Sequence, residues 1–344
     1  MAFTYNWKLS DLDAVPKNGL KVFSTFSCGG GSTMGYKMSG FDVIGSNDID
    51  PEMMEYYIDN HKPKFSFLES IADFKLRDDL PPELFDLDIL DGSPPCSSFS
   101  MSGAREEKWG VKKKFREGQA EQVLDDLFFH FIDLAKKLKP KVVISENVKG
   151  MLAGNAKGYV KQIVKEFDSA GYDTQIFLLN GATMGLPQRR ERVFFISRRK
   201  DLKLPKINLS FDEKPVGAFE AMSDIIQYTG KDFTKLSTYK WWMKCEAGKS
   251  LASVHPKGSL FNWIKICPTK PFPTLASTSM DMFLRWDKPF GFTGEQLARI
   301  SSFPYDYKTK SEKIFKYLMG MSVPPLMMHK VSKEVARQLF NVKS

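Results

Sequence analysis

The chain has 344 residues, 42% hydrophobic and 26% charged, with a formal net charge of +9 and a pI near 9.1, enough for a sizeable core and a two-domain split. The basic excess permits a nucleic-acid partner without identifying one, since a solvated basic surface gives the same count. Four scattered cysteines (Cys28, Cys96, Cys245, Cys267) with no CxxC pair argue against a disulfide scaffold and for a reduced, cytoplasmic setting; no stretch reaches the roughly 18–20 apolar residues of a membrane span, and the opening MAFTYNWKLSDLDAVPK has no signal-type apolar run.

In chain order, KVFSTF reads as a short strand, CGGGS as a glycine loop, TMGYKMSG as a helix and FDVIGS as the next strand. DIDPEMMEYYIDNH opens with acidic residues and a proline, then carries apolar residues at helical spacing. FDLDILDG reads as a strand running into GSPPC. The clearest amphipathic helix spans 119–139 and stops at Pro140, and KVVISEN follows as a buried strand. Residues 155–169 read as helix, then TQIFLLN and RVFFISRR as strands. Strands alternating with helices predict an α/β fold with a mostly parallel, doubly wound sheet, in which ligands bind beyond the carboxyl ends of the strands. FSCGGG, SND, SPPC and SEN all fall at such ends, so they have the chance to face one cleft.

From about 200 to 286 the strand-helix rhythm fades, and Pro, Gly, Lys and aromatic residues interleave, with Trp241, Trp242, Trp263 and Trp286 among them. This predicts three parts: a first domain over 1–199, a smaller one over 200–286, and a segment 287–344 that returns to complete the first, ending in a helix over KVSKEVARQLF.

Several loop residues have the chemistry of a site. Pro94 and Pro95 fix the backbone just before Cys96, as a thiol held close to a reacting atom requires, although a cysteine taken alone also fits as a small buried hydrophobe. Phe26-Ser27-Cys28-Gly29-Gly30-Gly31 would let backbone N–H groups approach a ligand, and equally serves a tight strand-to-helix turn. Asn47-Asp48-Ile49-Asp50 places a carboxylate where nucleotide-binding α/β folds hold a ribose. No GxxxxGK[ST] loop is present, which disfavours ATP hydrolysis. Glu146 follows a buried strand as a loop cap or a catalytic acid. Arg190 and Arg192 share one parity if the RVFFIS strand begins early, and would then point to one cleft; a solvated charged edge is the other reading. His61, His130, His255 and His329 form no ligand spacing.

Together the ordered stretches FSCGGGSTMG, SNDIDPE, GSPPCSSFS, SENVKGML, LNGATMGLPQRRERVFFI, FPTLAS, TGEQLARISSFP and GMSVPP resemble the C5-type cytosine-specific DNA methyltransferases, from about Lys21 to Val331 with a variable region near 200–270. The resemblance implies an S-adenosylmethionine-dependent methyltransferase fold, a small target-recognition domain over 200–286, and no metal. It implies that Cys96 adds to C6 of a flipped-out cytosine in duplex DNA, that Glu146 bonds N3 and the exocyclic amine, that Arg192 reaches the base O2 and the cysteine region, and that Arg190 supports the same pocket. Nearby positive charge would favour the Cys96 thiolate. The cofactor positions it implies are Phe26, Gly30, Asn47, Asp48, Ile49, Ile71 and Pro94, with Ser322 and Val323 toward the methionine end.

Residues 105–116 (REEKWGVKKKFR) carry six basic and two acidic residues, net +4, where the family has a loop that closes over DNA. Lys112, Lys113 and Lys114 read as phosphate contacts, and Trp109 either stacks or anchors the loop. Trp241, Trp242, Lys244, Lys265 and Arg285 are candidate DNA contacts, with core packing or a solvated surface as the alternative.

The chain departs from the family pattern at several positions. Cys28 stands at the first glycine of the cofactor turn, Asp48 is one methylene shorter than the usual glutamate, and Ser70 replaces an aspartate, with Asp73 as a possible substitute. Ser97 replaces glutamine, Glu295 arginine, Gln296 glutamate and Met321 asparagine. The rival readings are an RNA cytosine-5 methyltransferase, a catalytically inactive DNA-binding relative and a nucleotide-dependent enzyme with a small substrate. Against the first, the Cys-Phe-Thr signature of the tRNA-acting branch is met only by Cys267-Pro268-Thr269. The expected setting is a cytoplasmic monomer that marks DNA against a separate cognate restriction endonuclease, or an unpartnered methyltransferase.

Overall fold

The computed structural model describes residues 4–95, 126–154, 156–225, 228–278 and 280–342, with the backbone of 112–113 and 122–123. Its strands in chain order are β1 (Lys21–Thr25), β2 (Asp42–Asp48), β3 (Phe65–Leu68), β4 (Ile89–Gly92), β5 (Lys112–Lys113), β6 (Gln122–Val123), β7 (Val142–Val148), β8 (Tyr172–Asn180), β9 (Glu191–Arg199), β10 (Ile264–Lys265) and β11 (Phe283–Leu284). Seven of them form one sheet in the order β3-β2-β1-β4-β7-β9-β8, while β5 and β6 pair only with each other. The β3/β2, β2/β1, β1/β4 and β4/β7 pairs are parallel and β9 runs antiparallel to β7, so the expected mostly parallel sheet is mixed at this edge.

The chain divides into two units. One comprises Ala14–Leu179, Glu191–Ser210 and Met328–Ser344 and carries the sheet; the other comprises Met1–Asp13, Asn180–Arg190 and Phe211–Met327.

In the sheet unit the helices form where their caps allow. Helix α1 (Gly31–Met38) starts from Gly30, whose φ of +69° is left-handed. Helix α2 (Pro51–His61) has Asp50 as N-cap, accepting the N–H groups of Glu52 and Met53, and Pro51 in its first turn. A one-turn α3 (Ile71–Phe74) is capped by Ser70. Helix α4 (Leu127–Leu138) ends at left-handed Lys139, just before Pro140, and α5 covers Ala156–Ser169.

The main core lies on the sheet face that α3, α4 and α5 cover: Phe23, Ile44, Leu90, Val143 and Phe195 meet Phe74, Phe128, Phe131, Ile163 and Phe167. Several elements differ from the sequence expectation. Strand β4 is only the second half of FDLDILDG, because Pro82–Phe85 makes a 3-10 turn first. Helix α4 begins at Leu127 rather than 119. Strand β3 was not foreseen, since FSFL is a short edge strand that alternates half-buried and exposed.

The opposite sheet face carries a buried polar row. Ser46 on β2, Ser24 on β1 and Asp91 on β4 lie in register. Ser24 Oγ donates to Asp91 Oδ2 at 2.8 Å, and Tyr36 OH of α1 donates to Asp91 Oδ1 at 3.1 Å. Burial pushes the Asp91 carboxyl up to about 7, against the pull of those two hydroxyls.

The other unit holds α6 (Ala218–Met222), α7 (Tyr239–Lys244), α8 (Gly294–Ser301) and α9 (Glu312–Met321). The last helix, α10 (Pro325–Leu339), starts earlier than KVSKEVARQLF suggests, and its residues from Met328 on belong to the sheet unit. A small core of Phe233, Cys245, Leu251 and Leu284 has Trp241, Trp242 and Trp263 packed on it. Thr293 and Gln296 close a capping box on α8, with Thr293 N–H on Gln296 Oε1 at 3.1 Å and Gln296 N–H on Thr293 Oγ1 at 3.2 Å.

Arg190 is 2% exposed. Its Nη1 donates to Leu275 O at 2.7 Å, and its Nη2 to Gly320 O and Ser322 O, both at 2.9 Å. One guanidinium thus ties the FPTLAS and GMSVPP stretches together.

Two expectations follow. The Asp91 carboxyl has an ordinary value of 3.8 and a folded value of about 7, so its contribution to stability is full below the former and is lost as the pH rises through the latter. Urea unfolding should therefore show wild type losing more stability between about pH 5 and pH 8 than Asp91→Asn; equal losses would contradict a buried, proton-holding Asp91. Arg190→Lys keeps the charge but cannot span three carbonyls, and should cost about 3 kcal/mol in the same assay.

Candidate active site

The parallel register brings the loop-bearing strand ends into one row. Thr25 pairs with Asn47 on one side and Gly92 on the other, and Gly92 pairs with Ser145. Four motif stretches lie there side by side: SND at the end of β2, FSCGGG after β1, Ser93–Pro95 after β4 and SEN near the end of β7. All lie in the sheet unit.

The glycine turn is strained. Phe26 (φ 52°), Cys28 (φ 43°) and Gly30 (φ 69°) are left-handed, and two of the three carry side chains. Several contacts hold it. Cys28 N–H donates to Asp48 Oδ2 at 2.7 Å, and Gly30 N–H to Ser27 O at 2.8 Å. His61, the last residue of α2, sets Nε2 3.2 Å from Gly29 O. Burial lowers the His61 pKa to about 3, so the ring is neutral and Nε2–H is the donor. His61 also explains Gly30 sterically, since a Cβ there would lie 2.2 Å from Nε2. Phe26 packs edge-on to Phe131 at 6.3 Å.

Asp48 sits at the end of β2. Its other oxygen, Oδ1, accepts Asp50 N–H at 2.9 Å. Burial raises its pKa to about 6, and the backbone donors of Asp50 and Cys28 oppose the rise. The Ile49 N–H also favours the charged carboxylate. Asn47 donates through Nδ2 to Phe67 O and Glu69 O, which fixes the β2–β3 edge. Ile71 is 2% exposed and belongs to the main core. At the Ser70 departure, the Ser70 hydroxyl bonds the Asp73 carboxylate and accepts Asp73 N–H.

Glu146 and Arg192 form a buried ion pair, Nε to Oε1 at 2.7 Å. They meet because β9 runs antiparallel to β7, with Val148 opposite Arg192. Burial lowers the Arg192 pKa, and Glu146 opposes this. Arg192 Nη1 also donates to Glu191 O at 2.8 Å. Next to Glu146, Asn147 Nδ2 donates to Pro94 O at 2.9 Å and so anchors the turn two residues before Cys96. Cys96, Ser97, Trp109 and Lys114 lie outside the described residues. Of the basic loop, only the backbone of Lys112–Lys113 is described, paired antiparallel to Gln122–Val123.

Arg190 does not join Arg192 on a strand face. Strand β9 starts at Glu191, and the described Arg190 donors bind backbone carbonyls of Leu275, Gly320 and Ser322, which share the second unit with Arg190 itself. Ser322 and Val323 also belong to that unit and are buried. Arg285 is not exposed to a groove either: it is 1% exposed, pairs with Asp287 at 3.0 Å and lies over Tyr228 and Trp286. Trp242 donates to Arg285 O at 2.8 Å, and Lys265 lies 4.1 Å over the Trp242 ring, so both have structural partners. Lys240 and Lys244 flank Trp241.

Sequence reasoning missed His61, Asp91 and Asn147 as supports. His61 and Asp91 had no sequence signal; Asn147 stood beside Glu146 in the SEN stretch.

Comparison with known proteins agrees with this geometry. The model for C-5 cytosine-specific DNA methylases matches residues 20–337. The type II methyltransferase M.FnuDI of Fusobacterium nucleatum is 35% identical over 192 residues, covering 56% of this chain and 51% of the relative. M.NgoFVII of Neisseria gonorrhoeae is 28% identical over 356 residues, covering 95% and 89%. The chain thus spans about half the length of the first curated relatives it matches, and most of others. Among solved structures, a prophage-encoded protein of E. coli superposes with a TM-score of 0.70 at 20% identity, covering 94% of this chain and all of that one. The Dnmt2 methyltransferase of S. pombe gives 0.61 at 16% identity, covering 92% and 98%. These two likenesses establish the fold, an α/β methyltransferase fold with a mixed sheet. The strand-end motifs and the family match over 318 residues (337 − 20 + 1) together place the chain in the C-5 cytosine-specific DNA methylase family.

Proposed function

We propose that the chain transfers a methyl group from S-adenosylmethionine to C5 of a cytosine in double-stranded DNA. The observation that carries this reading is the buried Glu146–Arg192 pair at the strand-end row from which the SPPC turn also leaves. The Cys96 thiolate bonds C6 and passes its electron density to C5. Glu146 meets N3 and the exocyclic amine and stabilises the ring as charge develops, while Arg192 orients Glu146 and reaches the base O2. Loss of the C5 proton later expels the Cys96 thiolate. Asn147 fixes Pro94, and the Pro94–Pro95 turn limits where Cys96 can go. Arg190 is a positioning residue rather than a contact to the base.

The residues present fit the cofactor. Within the sheet unit, Ser27 and Ser145 each have a buried hydroxyl without a partner among the described residues. When bound, S-adenosylmethionine supplies an electrophilic methyl group. Phe26 would face the adenosine, the Asp48 carboxylate the ribose, and the Gly30 turn, Asn47, Ile49, Ile71 and Pro94 would frame the site; Ser322 and Val323 are proposed for the methionine end. Ile71 would act from within the core.

Residues 200–286 are proposed as the target-recognition part, with exposed Lys240 and Lys244 beside Trp241 as phosphate contacts. The region 287–344 is proposed to return to the catalytic domain, a reading that its residues from Met328 on support by belonging to the sheet unit. Among the described residues no helix is long and apolar enough to cross a membrane. A cytoplasmic monomer, acting on DNA with or without a separate restriction endonuclease, is the proposed setting.

With methyl-labelled S-adenosylmethionine and unmethylated duplex DNA, wild type should place label in 5-methylcytosine and Cys96→Ala should not. Label on RNA alone would replace DNA with RNA as substrate, and label on neither, with the cofactor bound, would point to an inactive relative. Arg192→Met leaves Glu146 buried without its cation, at a cost of about 3–5 kcal/mol near neutral pH. Adding Glu146→Gln to Arg192→Met removes the unpaired buried charge and should restore most of that loss in urea unfolding.

A further inference from the structure

We propose that Cys28 and Asp48 are a compensating pair, in which the Asp48 carboxylate holds the backbone of a cofactor turn that a cysteine at position 28 would otherwise leave. Asp48 is thereby a positioning residue as well as a cofactor contact. The inference rests on the S-adenosylmethionine reading of this turn.

The argument starts from the backbone. Cys28 has φ 43°, and its neighbour Phe26 has φ 52°. A side chain in this region disfavours the conformation by roughly five- to thirtyfold in population, whereas glycine adopts it freely. A turn with two such residues persists only where its surroundings hold it.

The Cys28 N–H points at Asp48 Oδ2, 2.7 Å away. The other oxygen accepts Asp50 N–H at 2.9 Å, so the carboxylate is fixed from the α2 side before it reaches the turn. A charged acceptor on a backbone N–H makes a strong bond, stronger still in a buried site. Further along the turn, His61 holds Gly29 O, at 3.2 Å, but touches neither Cys28 N–H nor its φ. Among the described contacts, the one that holds the Cys28 N–H is Asp48.

The test is a double-mutant cycle on the full chain with Cys28→Gly, Asp48→Asn and both changes together. An asparagine has one oxygen for two N–H donors, so one of them loses its acceptor. Three readouts are taken: S-adenosylmethionine affinity by equilibrium dialysis, amide exchange of residues 27–31 without cofactor, and kcat against KM. Asp48→Asn should weaken affinity about tenfold, by lost ribose contact and a smaller fraction of competent turn, and speed exchange at residues 27–31. Cys28→Gly alone should change affinity little. In the Cys28→Gly background the Asp48→Asn loss should shrink by about threefold, the relief of strain less the added freedom of glycine. KM for the cofactor should follow affinity while kcat stays near wild type.

Strictly additive effects on both affinity and exchange would overturn the pairing while leaving the cofactor reading intact, with Asp48 acting on the ribose alone. If wild type does not bind S-adenosylmethionine, the cofactor reading fails instead. The exchange cycle still decides the pairing, because a purely structural Asp48 would speed exchange equally in both backgrounds.

Discussion

Backbone hydrogen bonding across four parallel strands sets the geometry on which everything else depends. It holds Asn47, Thr25, Gly92 and Ser145 at one level, so that the four motif stretches lie side by side. Parallel pairing fixes register, and a slip of one residue would turn every side chain to the other face. The row is also why short loops suffice: Asn147 reaches Pro94 and Asp48 reaches Cys28 by single hydrogen bonds between neighbouring strand ends.

The antiparallel β9 adds what a parallel strand there would not. The chain enters β9 at the edge where β7 leaves, so Arg192 lies near the start of β9 and close to Glu146 near the end of β7. A buried carboxylate near a substrate site needs a partner, and this reversal supplies one without a long loop. One pleat repeat deeper, Asp91 has only hydroxyls as described partners and holds its proton toward neutral pH. The two acids occupy neighbouring parallel strands, and only Glu146 has a guanidinium among its described partners.

Much of this was legible in the sequence. Strong apolar runs and their loop residues located β1, β2, β7 and α2, and the ordered motifs located Asp48 and Glu146. The misses share a cause. Strand β3 and the start of α4 depend on packing and pairing that periodicity does not encode. Arg190 and Arg192 looked alike as charged neighbours before a strand, yet one is enclosed by carbonyls and the other pairs with a carboxylate. Arg285 is a candidate DNA contact by sequence with core or surface packing as the alternative, and Asp287, two residues on, and the rings of Tyr228 and Trp286 enclose it. A lone arginine does not announce its partners, because they come from distant segments.

The departures from the family pattern are best read with their neighbours. Gln296, in a glutamate's place, still completes the α8 capping box, and its Nε2 also donates to Ile225 O at 3.1 Å, which a carboxylate could not do. Ser70, in an aspartate's place, caps α3 and holds Asp73, so a carboxylate remains at that corner. Cys28, in a glycine's place, has its N–H on Asp48. Gln296 and Ser70 supply these bonds from the side chain, whereas Cys28 bonds through its backbone N–H. A substitution at a motif position therefore says little about lost function until the atoms around it are counted, because hydrogen-bond demand at helix ends and strained turns can be met by a neighbour as well as by the motif residue itself.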